Sequence, residues 1–529
     1  MATSAQPATP PLSFHVGVRL SGQNPFAPRT GTLSLPRQDS SAIEISTPDF
    51  LTLTSRGDVP HLSRDHVKKT DAIGWVHVPF ESFLERTPPV PTLYPSERPL
   101  HGFLGFDPSR HIVSVSLRNW NDSRDITPNG KDTVSALCVR GVRAVTPSAY
   151  NSYITSIRPD IVVALSDIPF RSTPPSEKRL VKSLERSLLW LGQILRINHA
   201  NVFVPMAGLI DDVSRDDFAT GLLETLEGSE ARELQPLGFH TLNDGVAGYT
   251  VDLAPLKRLQ QTSSPESDPT SQLIDLAQTS LRPLPEGKPR LVTGCESPHD
   301  ILQFIQSGLD LFDSHFAQQA ADWGVALDFR FRAPSSQPDA AAVDIGVNLY
   351  DTEHEMAFNR LATSLRGGAE QDDASLPICP CIACTPKFSS TPILHSSLDE
   401  APAGEEGPEP PFTRGYIHHL LHTHEMTAHV LLAAHNLSVL SRFFADIRAF
   451  LAEVSSAPDA EERFNAEVRK FGEQYKRPDE LMRKAKVNWE EVNLARGKGR
   501  LAREKAAKAT ENPIEITQHP ERVLPDVVP

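Results

Sequence analysis

An α/β fold, a (β/α)8 TIM-type barrel preceded by antiparallel strands, is predicted by three observations. Short β-branched runs alternate with amphipathic helical stretches from about residue 154 to beyond residue 310, the rhythm of a parallel sheet with crossover helices. Such a sheet is either a closed barrel or an open doubly wound sheet. No GxGxxG or GxxxxGKS/T pattern follows any of these runs, which favours the barrel, since an open nucleotide-binding sheet carries its phosphate loop there. Up to about residue 65 the rhythm differs: FHVGVRL, GTLSLPR and IEISTPDFLTLTS alternate and are punctuated by Gly and Pro, as short antiparallel strands do.

The elements follow in order. Asn119 to Asp132 is polar enough to be a loop. IVVAL reads as a strand ending at Ser166 and Asp167, and Glu177 to Ile197 as a helix whose Leu180, Leu184, Leu188, Leu191 and Leu195 form one apolar stripe. NVFVP is then a strand, DDFATGLLETL a helix, LGFHTL a strand and Val251 to Leu281 a helical region interrupted by TSSPESDPTS. RLVTG is the next strand. Ser297-Pro298-His299-Asp300 supplies a cap, a proline at the first helical position and an acid, opening a helix that Gly308 closes before LDLF and Asp313. Low-complexity punctuation at Arg332 to Asp339 and Thr385 to Pro411 reads as surface insertion. A helix is expected from about Tyr416 to Leu451.

Residues 1–11 are expected to be a disordered start, residues 12–450 the barrel with a zinc subdomain at about 376–440, and residues 451–529 a charged, partly helical extension with a disordered tail. The chain of 529 residues is 39% apolar and carries 46 prolines, enough apolar surface for a core interrupted by insertions. Its longest apolar runs are far short of the roughly 20 residues that cross a bilayer, and MATSAQPATPPL lacks the features of a presequence. No transmembrane helix and a cytoplasmic address are therefore expected. The net charge of -15 opposes polyanion binding on average, yet residues 481–508 hold nine Lys or Arg against three Glu. That stretch reads as a solvated helix or as a phosphate contact.

Five cysteines make no disulfide framework, but Cys379, Cys381 and Cys384 lie within six residues, which places three thiols around one tetrahedral ion. Any of His418, His419, His422, His424, His429 and His435 could complete a closed Cys3His zinc site. Such a site is structural, because four protein ligands leave no position for water. His424-Glu425 with His429 imitates a metallopeptidase helix, but a spacing of five turns the two rings roughly 140° apart. Asp167 and Asp313 each follow a strand, where a barrel places its active-site groups and where ordinary loop aspartates also sit. Cys138 and Cys295 read as passive core residues.

CPCIAC followed by FTRGYIHHLLHTHEMTAHVLLAAHNLSVLSRFF resembles the zinc signature of the tRNA-guanine transglycosylases. STPDFLTLTSRGDVPHL, RPDIVVALSD, KRLVKSLERSLLWL and PRLVTGCESPHDILQFIQSGLDLFDS extend the resemblance from about residue 12 to 450. It implies a zinc-bearing (β/α)8 barrel with His435 of His435-Asn436 as fourth ligand, 51 residues after Cys384, the excess length looping out at 385–411. It also implies base exchange in tRNA by an aspartate nucleophile, a position matched by Asp313. However, DSGGFQ has no counterpart, KKTDAIGWVHVPFESF standing after SRGDVPHLSRDHV. GGLxVGE is likewise eroded to Gly238-Phe239-His240 and TLNDGVAGYTV, and Asp167 lacks its usual continuation. A zinc site with a degraded base pocket is similar to the non-catalytic members of the family. They pair with a catalytic queuine tRNA-ribosyltransferase subunit in a heterodimer that exchanges guanine for queuine at wobble position 34 of tRNAs with GUN anticodons, those for Asp, Asn, His and Tyr. On that reading no residue is catalytic, one structural Zn2+ is bound and the chain helps hold tRNA. Two other readings are an active, divergent transglycosylase using Asp313, and a zinc-stabilised RNA-binding protein with no such partner.

Overall fold

The structure, a computed structural model, describes residues 10–37, 41–122, 124, 126–168, 173–197, 199, 201–260, 269–332, 341–365, 379–385 and 411–495. The expected insertions at 385–411 and 332–339, the first nine residues and the tail from Asn512 lie wholly or almost wholly outside them.

Alternation buries every second residue of the second strand and half-buries every second residue of the first. β1 (Ser13–Arg19), β2 (Arg29–Leu35) and β3 (Ile43–Thr47) form an antiparallel sheet. β4 (Asp49–Leu53), separated from β3 by Pro48 alone, turns into the barrel rather than extending that sheet. β5 (Trp75–Pro79) and β6 (Ile112–Ser116) follow, then a hairpin of β7 (Val134–Cys138) and β8 (Gly141–Val145). β9 (Ile161–Val163), β10 (Val202–Pro205), β11 (Val246–Asp252), β12 (Arg290–Thr293) and β13 (Leu311–Asp313) complete a closed parallel barrel in the order β10-β11-β12-β13-β4-β5-β6-β9. β14 (Val325–Leu327) and β15 (Gly346–Asn348) form a further hairpin.

Inside the barrel, Leu51, Leu53, Trp75, Ile112, Ile161, Val163, Phe203, Leu291 and Leu311 pack as one apolar cluster with Leu33, Leu35 and Ile45 of the N-terminal sheet. That sheet plugs one end. Arg29 fixes it there, donating through Nε and Nη2 to the two Asp310 oxygens at 2.8 and 2.6 Å, with both side chains fully buried. Removing one partner of such a pair strands a buried charge, at about 3–5 kcal/mol.

The leucine stripe predicted from Glu177 holds: Leu180, Leu184, Leu191 and Leu195 are buried on helix Glu177–Leu195 and Leu188 is half-buried. Ser297 caps helix Pro298–Gln306 by accepting from Asp300 N at 3.0 Å. Two expectations fail. LGFHTL forms no strand, because Thr241 and Asp244 make a reciprocal capping box that starts the 3-10 turn Leu242–Gly245. The strand comes next, in VAGYTVD, whose last two residues the sequence reading gave to a helix and whose first five it left unassigned. The helix expected over Tyr416 to Leu451 is two, Arg414–His422 and Met426–Val454, because His424 adopts a left-handed φ of 60° and Glu425 N and His424 N close back on Leu420 O and Leu421 O at 2.9 and 3.2 Å.

Met426–Val454 is by length and composition apolar enough to cross a membrane, and 78% of its most apolar window is buried inside this fold. It packs on helix His315–Asp322 and on β4. Beyond residue 450, helices Ala460–Gln474 and Asp479–Ala495 join the body: Phe464 and Phe471 are buried beside Phe331, Phe443 and Phe450.

Candidate metal centre and the barrel mouth

CPCIAC folds as a tight turn. Cys384 N and Thr385 N donate to Cys381 O at 3.2 and 3.0 Å, Thr385 Oγ1 donates to Cys379 O at 2.8 Å, and Phe412 N donates to Ala383 O at 3.0 Å. The three thiols thereby face His435 from the buried flank of Met426–Val454, and all four side chains are buried. Their ligand atoms lie within 4.8 Å of one another, with His435 Nδ1 at 3.8, 3.6 and 3.3 Å from Sγ of Cys379, Cys381 and Cys384. A tetrahedral zinc with Zn–S of about 2.3 Å and Zn–N of about 2.0 Å places S and N roughly 3.5 Å apart. The group can therefore hold a metal ion.

The imidazole is oriented for it. His435 Nε2–H donates to Leu327 O at 2.9 Å, which leaves the Nδ1 lone pair facing the thiols. The neighbouring Asn436 fixes the same strand, donating to Ala317 O and Val325 O at 3.2 and 2.9 Å and accepting from Leu327 N at 2.9 Å. Among themselves the thiols share charge: hydrogen bonds from Cys381 and Cys384 hold Cys379 far below the ordinary thiol range, while burial and the Cys379 thiolate push Cys381 up. A cation takes the place of the protons that such a cluster must otherwise share. The five other histidines of the sequence reading do not reach the thiols, and His424 sits in the turn between helices, so the peptidase-like spacing has no helix beneath it.

At the C-terminal mouth of the barrel, the end at which such folds carry their active sites, Asp313 is buried and accepts from Gly294 N at 2.8 Å and His315 N at 3.1 Å. Burial raises its pKa, with the nearby His315 acting in the opposite direction. Asp252 ends β11 in the same region, accepting from Ala254 N at 3.1 Å and Thr293 Oγ1 at 3.5 Å, and burial with the Asp313 charge raises it to about 7. The sequence reading missed Asp252 because it placed Val251 in a helix; its signal, an aspartate just past a strand, is the one that singled out Asp313. Asp167 is engaged elsewhere. It accepts from both terminal nitrogens of Arg179 at 2.8 and 2.7 Å, from Arg186 at 3.0 Å and from Asn129 Nδ2 at 2.8 Å.

The centre of the mouth is filled. Trp120, in the expected loop after β6, stacks on His77 of β5 with ring centroids 3.6 Å apart and planes 12° apart, and joins the apolar cluster of the barrel interior. His77 is held by Ser114 Oγ at 2.9 Å and Ser116 Oγ at 2.8 Å, and burial lowers its pKa to about 3, so the stack is neutral. Where the strand β5 ends, Glu81 accepts from Asn119 N and Leu137 N at 2.8 and 2.9 Å, tying down the loop that carries Trp120. About 60 Å3 of free space remains between Trp120, Leu165, Thr250 and Asp252, and about 410 Å3 lies outside it, lined by Arg118, Thr127, Asn129, Ser176 and Arg179.

The family model described as queuine tRNA-ribosyltransferase matches residues 26–469. Among curated proteins, the chain is similar to a queuine tRNA-ribosyltransferase accessory subunit 2 from Schizosaccharomyces pombe, 26% identical over 82% of this chain and 79% of the relative. Proteins of the same name from Homo sapiens, 27% identical over 76% and 89%, and from Xenopus laevis, 25% identical over 80% and 94%, also match.

Proposed function

This chain belongs to the queuine tRNA-ribosyltransferase family, and from that premise we propose that it is a non-catalytic subunit of the enzyme. It pairs with a catalytic homologue in the cytoplasm and helps hold tRNA while the partner exchanges guanine for queuine at the wobble position of GUN anticodons. The relatives named as accessory subunits support the pairing.

The observation that carries the non-catalytic role is the closed barrel mouth. A base needs a planar slot and free hydrogen-bonding groups held in place before it arrives. Here the indole of Trp120 fills the slot over His77, and Asp167 is neutralised by Arg179 and Arg186. Asp313 keeps its carboxylate position, held by one backbone N–H on each oxygen, but the slot for a base beside it is filled.

Cys379, Cys381, Cys384 and His435 are the zinc ligands in this reading. Four protein donors make the ion a structural cross-link, tying the turn at 379–384 to helix Met426–Val454. His435 presents its Nδ1 lone pair, Leu327 holds the opposite proton, and the apolar surroundings exclude water.

Labelled-guanine exchange into a wobble-G tRNA tests the proposal, with this chain alone, the catalytic homologue alone and the two mixed. Exchange only in the mixture is expected. Exchange by this chain alone would replace the proposal with the second reading, an active transglycosylase working through Asp313.

A further inference from the structure

Six histidines lie between residues 418 and 435, and only His435 faces the thiols. Three of the others, His418, His422 and His429, also donate one ring N–H to a backbone carbonyl, and the first two are neighbours. His418 and His422 stand one turn apart on helix Arg414–His422, the spacing that places two side chains on one face. His418 Nδ1–H donates to Leu349 O at 2.9 Å, and His422 Nε2–H donates to Tyr350 O at 3.2 Å. A carbonyl oxygen only accepts, so these bonds fix both tautomers. Nε2 of His418 and Nδ1 of His422 are left with lone pairs, as Nδ1 of His435 is left by its bond to Leu327.

The two anchoring carbonyls belong to consecutive residues just past β15, so one backbone segment sets both rings. Their centroids are 4.3 Å apart and their planes 44° apart. Two imidazoles sharing an ion at about 2.0–2.1 Å, with the bonds 90–109° apart, have centroids roughly 4.5–5 Å apart. The observed separation lies just below that range. Burial holds His418 below the ordinary imidazole range, which keeps its ring neutral and its free nitrogen unprotonated.

We propose that His418 and His422 form a second metal site, separate from the Cys3His centre, for a divalent ion that prefers imidazole, such as Ni2+, Cu2+ or Zn2+. Two protein nitrogens bind the ion and water fills its remaining positions. Bound there, the ion pins the last turn of helix Arg414–His422 to Leu349 and Tyr350.

The test is calorimetric titration of Ni2+ into the protein as purified, with the metal content of the Cys3His centre followed in the same samples by elemental analysis. One Ni2+ per chain is expected to bind beyond that content. His422→Gln should weaken it roughly tenfold or more, because the second imidazole binds intramolecularly, while His419→Gln and His424→Gln leave it unchanged. His418→Gln should match His422→Gln, its amide still able to donate to Leu349 O. If His418→Gln does not fold, the exposed His422 position still decides the matter. Equal Ni2+ affinity in wild type and His422→Gln, or equal weakening in His419→Gln and His424→Gln, overturns the site.

Discussion

Replacing Trp120 with alanine asks how firmly the barrel mouth is closed. The indole is 7% exposed, lies 3.6 Å from the His77 ring and packs on the interior cluster beside about 60 Å3 of free space. Truncating a buried tryptophan costs about 3–5 kcal/mol, transfer and cavity terms together. The upper half of that range applies here, because the void left behind merges with space already present and the closed barrel wall cannot collapse into it. The vacated slot has a flat neutral imidazole as its floor, so it should accept free indole. Ligand at 100 times its Kd would return about 2.7 kcal/mol. Urea unfolding of wild type and Trp120→Ala, each with and without indole, reads both effects. A loss below about 1 kcal/mol, or no difference between the two proteins in their response to indole, would show that Trp120 lies on the surface of the mouth and that the slot is open to a base.

Three further outcomes follow from the same geometry. The wild type should purify with one tightly held metal ion by elemental analysis, and Cys381→Ser without it and with a lower unfolding temperature; an ion bound equally to both would remove Cys381 from the ligand set. Asp252→Asn tests the buried carboxyl. A folded-state value of about 7, against an ordinary 3.8, means that the carboxyl's contribution is complete below 3.8 and is lost as pH rises through 7, at up to about 1.4 kcal/mol per unit crossed. The stability of Asp252→Asn minus that of wild type should therefore climb from pH 4 to 7 and level off above, and a flat difference refutes the burial argument. Asp313→Asn, nearly isosteric, should leave exchange by the mixed subunits unchanged; its loss would make Asp313 part of the chemistry.

The cluster of three thiols was legible because its chemistry is local. Three thiols within six residues constrain an ion whatever the fold around them, and a turn of that length needs only the hydrogen bonds it makes with itself and with Phe412. The histidine was not local. Six candidates share the same stretch, and what separates His435 from the rest is its place on the buried flank of Met426–Val454 facing the thiols, a position set by packing against β14 more than 100 residues away. Only the family resemblance pointed to it beforehand. The barrel divides along similar lines. From IVVAL onward most strands and helices alternate with distinct periodicities, and the alternation was readable except at LGFHTL and at VAGYTVD, where the single Asp252 is followed at once by LAPL and the apolar pattern reads on into helix Ala254–Gln260. β5 and β6 are buried throughout, so WVHVP and IVSVS show no inward and outward alternation to mark them.

What closes the mouth was hidden for a related reason. His77 and Trp120 are 43 residues apart, one on a strand and one in a loop, and neither belongs to a motif. In sequence, an absent DSGGFQ is only an absence. The structure gives it physical content: the loop after β6, held by Glu81 at the end of β5, carries an aromatic ring onto the barrel interior, and two arginines from one helix occupy Asp167. Loss of the motif alone would leave an empty slot that a few substitutions could reopen. A slot filled by a stacked indole is stabilised as it stands, and on the proposed non-catalytic reading a base could enter it only by displacing Trp120.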